Sequence, residues 1–203
     1  MANTLSATRR ALHGLAELVL AGPQYRASRT VRLRPEDGGF GTVAAPSLRV
    51  LGGLVVSAEG STAADTRTCA ELATAAGVIA GAPEGVYAGG SGVDPDEVLH
   101  IDSASVTVIT AGFALGDAAL RAFAPGVAAV LWPEHFDLGI SLDEVNYGVS
   151  AGDAYLAEPY AYVGPWQPRA GAFWNAPFGA ARPISALTDL AAFFAEGQRL
   201  ARP

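Results

Sequence analysis

Ala129-Val-Leu-Trp-Pro-Glu-His-Phe-Asp-Leu-Gly-Ile-Ser-Leu142 is the stretch that decides how this chain is read. From Glu134 onward it alternates. Phe136, Leu138, Ile140 and Leu142 fall on one side; His135, Asp137 and Ser141 fall on the other. Strand side chains change face with a period of two, so the pattern predicts a strand with one dry and one polar face. Half-polar strands belong to antiparallel sheets with one covered face. The expected fold class is therefore α+β, a mainly antiparallel sheet with helices packed on it.

Toward the C-terminus, residues 144–149 alternate again, and a turn near 142–144 would make a hairpin. Residues 156–163 look like an edge strand, because Pro159 removes a ladder donor. Residues 164–183 look irregular, and 185–200 read as a terminal helix capped by Ser185. Toward the N-terminus, Val106, Ile109, Phe113, Leu120 and Phe123 repeat at helical spacing over 102–123. Gly112 and Gly116 share that side, which suggests close packing against another backbone. Residues 77–99 are Gly- and Pro-rich and read as a long loop, with Gly89-Gly-Ser-Gly92 a flexible linker. Before it come a helix over 61–76 capped by Thr62, a kinked apolar strand over 48–57, and a hairpin of strands 30–34 and 40–44. A first helix over 4–21 should stop at Gly22-Pro23.

Two halves of this layout look alike, each predicted as α-β-β-β-α. Val31-Arg-Leu-Arg-Pro-Glu-Asp-Gly-Gly-Phe-Gly-Thr42 sets against Ala129–Ile140, so that Pro35, Glu36 and Gly41 fall on Pro133, Glu134 and Gly139. Residues 1–203 then form one globular domain with related halves 1–80 and 101–203, joined by the Gly/Pro-rich segment 81–100. The alternative is two similar but unrelated hairpins.

Composition narrows the function classes. Half of the 203 residues are hydrophobic and 16% are charged, so a packed core is expected rather than disorder. A net charge of −7 argues against nucleic acid and against an anionic membrane surface. The lone Cys69 excludes an intramolecular disulfide and sits in a helical pattern as a small hydrophobe. His13 and Glu17 interrupt the apolar N-terminal stretch, unlike a secretion signal, and no uncharged apolar run reaches the ~18 residues of a membrane span. A cytoplasmic protein is expected.

The segments HFDLGIS and EPYAYVGP, the pair Phe173-Trp174 and the last helix together resemble a bacterial protein family of unknown function. In that family a helix, strand pairs and a helix precede a second helix, an FDL-containing strand and a Tyr-rich segment. The resemblance spans most of the chain, lacks the family's Trp-rich opening, and implies a single fold without implying an activity.

His135 and Asp137, two apart on a strand, would share a face, as a general base and its orienting carboxylate must. Glu158 and Tyr160 could join them from a later strand, and Glu144 or Asn146 could lie across from Ser141 or Gly139. The candidate catalytic set is His135, Asp137 and Glu158. The candidate ligand-binding set is Glu134, Trp132, Tyr147, Tyr160, Tyr162 and Glu36. The competing reading is the solvated face of an antiparallel sheet. No metal is expected, because His13 and His100 lie in other elements. No cofactor motif is present: there is no GxGxxG, no phosphate loop and no G-x-S-x-G. The leading expectation is small-molecule binding in a cleft lined by the polar strand face and aromatics. The alternatives are a cofactor-independent enzyme with His135 as base, and a structural or assembly subunit; whichever holds, the chain could form a homo-oligomer.

Overall fold

The computed structural model describes residues 2–202. It contains helices and ten strands, and every strand pairing within the two units described below is antiparallel. The fold is α+β, as the alternating stretches predict. The chain divides into two units: one takes the chain up to Thr110 with Leu131–Phe136, the other takes Ala111–Val130 and Asp137 onward.

In the first unit, α1 (Ala2–Gly14) runs into a π-helical segment, Leu15–Ala21, and then α2 (Gly22–Ser28). Gly22-Pro23 does not stop the helix as expected. Pro23 lies inside this continuous helix, and Leu18 O, the carbonyl its missing N–H would reach in the π register, accepts from Gly81 N at 2.9 Å instead. Arg29, with φ 57°, ends it. The π segment is buried at every residue and packs on α3 and the first three strands. Strands β1 (Leu33–Glu36), β2 (Gly39–Thr42), β3 (Arg49–Leu51), β4 (Leu54–Ser57) and β5 (Gly60–Ala63) form a meander. The predicted kinked strand over 48–57 is in fact the hairpin β3–β4. Gly52 and Gly53 both have positive φ, so they form a two-residue turn instead of a bulge. The predicted helix over 61–76 shortens to α3 (Cys69–Ala75), because Thr62 belongs to β5. The cap is Thr68, paired reciprocally with Glu71 in a capping box. Strand β6 (Val130–Trp132) pairs with β1 at Leu33–Leu131.

The anchoring stretch is not continuous. Residues 133–136 turn, and Phe136 has φ 52°, so β7 begins at Asp137 (Asp137–Leu142). Hence His135 lies in a turn and not on the strand face with Asp137. From Leu138 the predicted alternation holds: Leu138 and Ile140 are buried and Ser141 is exposed.

The second unit orders its strands β10-β9-β8-β7, with β8 Val145–Ser150, β9 Tyr160–Pro165 and β10 Ala180–Pro183. β9 is not the expected edge strand. It lies between β8 and β10, and Pro159 stands just before it. One face carries Leu138, Ile140, Val145, Tyr147, Val149, Ala161 and Val163, all buried. Helices α4 (Ser103–Phe123) and α5 (Leu190–Ala201) supply its cover. A Cβ on Gly116 would stand 2.6 Å from Val149 Cγ2, and one on Gly197 2.7 Å from Val163 Cγ2, so helix and sheet touch there. Phe123, Tyr147 and Phe194 interlock with ring centroids 4.8–6.2 Å apart. By length and composition α4 could cross a membrane; here Phe113 and Leu120 are core residues. The cap of α5 is Asp189, whose carboxylate accepts from Ala192 N at 2.9 Å, and not Ser185. Ser185 lies in a separate short 3-10 turn, Ile184–Ala186.

Candidate functional site

The polar face of the second unit forms as the alternation implies. Gly139, Gly148 and Tyr162 lie in register, as do Asp137, Ser150 and Tyr160. A Cβ on Gly148 would sit 2.5 Å from the Tyr162 hydroxyl, so the glycines provide the groove along which this ring lies. Tyr162 reaches Asp137 and donates to its carboxylate. Burial, then the Asp137 charge, holds the phenol in its neutral form well beyond the usual range. Tyr160 donates to Asp153 at 2.6 Å, and Ser141 Oγ donates to Asn146 Oδ1 at 2.7 Å.

The proposed catalytic residues have three different partners. Exposed His135 has Glu134 beside it at 3.9 Å, Asp137 accepts from Tyr162, and Glu158 accepts from Ser185 at 2.9 Å. The turn at 133–136 removes the shared strand face that was to align imidazole and carboxylate. Among the ligand-binding candidates, Trp132 carries the Arg32 guanidinium over its ring at 5.8 Å. Glu36 pairs with Arg34 at 2.9 Å. Tyr147 lies on the buried face and not with the polar groups, because β8 places it with Val145 and Val149.

Two groupings were not anticipated. In the first unit, Glu17 in the π segment is buried. Its Oε2 accepts from Ser91 N at 2.8 Å and Ser91 Oγ at 2.7 Å. The loop expected to be a flexible linker is therefore pinned to the core. A Cβ on Gly90 would overlap the Glu17 carboxylate, which is why this loop is glycine there. The Tyr87 hydroxyl is buried; burial and then Glu17 push its ionisation upward, although hydrogen-bonding geometry is not reached. One turn before Glu17, His13 Nε2 donates to Pro133 O at 2.7 Å, and its ring stacks on Phe136. Burial lowers the pKa of His13, against the raising effect of that bond and of Glu17. Cys69 is the inert hydrophobe its position suggested, its thiol raised to about 12 by burial.

In the second unit a cavity of about 400 Å³ opens beside the C-terminal end of α5. Its lining includes the β7–β8 turn residues Asp143 and Glu144, then Tyr147, Arg169, Gln198 and Arg202. Tyr147 is fully buried, and its hydroxyl makes no hydrogen bond. Burial, then Asp143, pushes that phenol up to about 12. Asp143 and Glu144 both have positive φ, 51° and 61°, the backbone of a type I′ turn that usually takes Asn and Gly. Side chains in this conformation are strained, and such strain concentrates at functional sites. Arg169 donates twice to Ala201 O, at 3.1 and 2.7 Å, and so fixes the end of α5 against the rim.

No group of three or more His, Cys, Asp or Glu side chains among the described residues is arranged to hold a metal ion. No protein-family model, curated protein or solved structure matches the chain.

Proposed function

We propose that this protein binds a small molecule, and that it does so in the second unit's cavity at Tyr147. The observation that carries the reading is the Tyr147 hydroxyl, buried and without a partner, on a residue that lines that cavity. Leaving a buried hydroxyl unpaired costs about 1–3 kcal/mol, which folding alone does not require where Phe would fill the same space. A ligand that accepts from or donates to the hydroxyl supplies the missing bond. The volume lies in the range of small-molecule sites, about 300–1,000 Å³. The expected cleft on the polar strand face gives way to one reached past the hairpin turn, with Tyr147 as the shared residue.

Ligand-observed fluorine NMR of the full chain against a fluorinated fragment library tests this. Gln198→Trp should fill the cavity from a half-buried helix position. Fragments that bind the parent chain should lose binding to this variant, with the unfolding midpoint unchanged. Equal binding to both proteins, or no binding to the parent chain, would overturn the proposal.

A further inference from the structure

The cavity's charges are sorted by element. The β7–β8 turn brings two carboxylates, Asp143 and Glu144, while the loop after β9 and the end of α5 bring two guanidinium groups, Arg169 and Arg202. Among the described residues no ion pair joins these four groups. Asp143 and Arg202 act on the Tyr147 hydroxyl with opposite sign, so the hydroxyl feels both charges. Val145, Pro165 and Ala201 contribute apolar wall.

Resting on the small-molecule reading above, we propose that the ligand is a zwitterion of amino-acid type. Its ammonium end faces the Asp143–Glu144 turn, its carboxylate faces Arg202, and its side chain lies along the apolar wall. Arg169 is the weaker anion partner, since its Nε and Nη2 already donate to Ala201 O. A hydroxyl is both donor and acceptor, so Tyr147 can serve either end of such a molecule. A ligand with a single charge would meet one matched group and one opposed group.

Calorimetric titration of the full chain with three amino acids, leucine, glutamine and phenylalanine, tests the class. Each is used in three forms: the free amino acid, its amide (cation only) and its N-acetyl derivative (anion only). At least one free amino acid should bind about tenfold or more tightly than both of its singly charged forms. Arg202→Gln should then weaken the free amino acid while leaving the amide unchanged, and Asp143→Asn should do so while leaving the N-acetyl form unchanged. An N-acetyl form or an amide that binds as well as its parent would overturn the zwitterion. So would no binding of any form while fluorinated fragments still bind, an outcome that leaves the cavity reading standing. Loss of fragment binding as well would overturn both.

Discussion

Glu17 shows how much one buried carboxylate can organise. It sits in a π-helical segment whose every residue is buried, and it accepts two hydrogen bonds from Ser91. Hydrogen bonds to a charged group are worth more than neutral ones, and donors stripped of their acceptor keep the desolvation cost. Glu17→Ala should therefore lower unfolding free energy by about 1–3 kcal/mol in urea and speed hydrogen exchange at the Ser91 amide. Glu17→Gln, which keeps an acceptor, should lose less. His13 makes a second prediction at this scale. Its pKa is lowered in the folded chain, chiefly by burial. Below the unfolded value of 6.5 the unfolded chain takes up a proton that the folded imidazole refuses, so stability is lost as the pH falls from there. Urea midpoints between pH 7.5 and 5.5 should fall more steeply for the parent chain than for His13→Gln. Parallel slopes would contradict the assignment.

At the scale of elements, Gly116 of α4 marks its contact with the second unit's sheet. Gly→Ala inside a helix ordinarily gains up to about 1 kcal/mol. At Gly116 the sign reverses, because the new methyl would meet Val149 Cγ2 at 2.6 Å and Val149 Cβ at 2.9 Å. Rotating the valine side chain cannot move its Cβ away. Gly116→Ala should cost about 1–3 kcal/mol in thermal or urea unfolding, and adding Val149→Ala should recover part of that loss. Close approach was legible in the sequence, since Gly112 and Gly116 share the helix's apolar side, but the partners are the side chains of Pro159, Ile184 and Val149 and not the backbone expected. Also legible was the face of Tyr147: in Val145-Asn-Tyr-Gly-Val-Ser150, counting by two puts the tyrosine with the valines. Other features were not legible. Pro133 is a local turn signal, but nothing local carries the turn on to Phe136, which adopts φ 52° in a core where its ring meets Phe40 and His13. Tertiary packing made that choice. The Ser91–Glu17 bonds join residues 74 apart in sequence, which no pattern window spans.

At the scale of the whole molecule, the element order repeats. A helical segment, five strands and a helix run from α1 to α3, and again from α4 to α5, with five strands in each half where the pattern had suggested three. The sequence alignment of the two halves sets Leu33 on Leu131, and these two residues pair with each other across β1 and β6. The two halves differ in their polar residues. The first buries Glu17 under a glycine loop, while the second leaves a cavity with an unpartnered hydroxyl. The account of function rests on that hydroxyl serving a ligand and not the fold. Urea unfolding and fragment binding of Tyr147→Phe, measured against the parent chain, test this most directly. The variant should be as stable as the parent or more stable by about 1 kcal/mol, since an unpaired buried hydroxyl is removed. Its binding should weaken about tenfold or more. A variant destabilised by more than about 1 kcal/mol that still binds fragments as tightly as the parent would contradict the account.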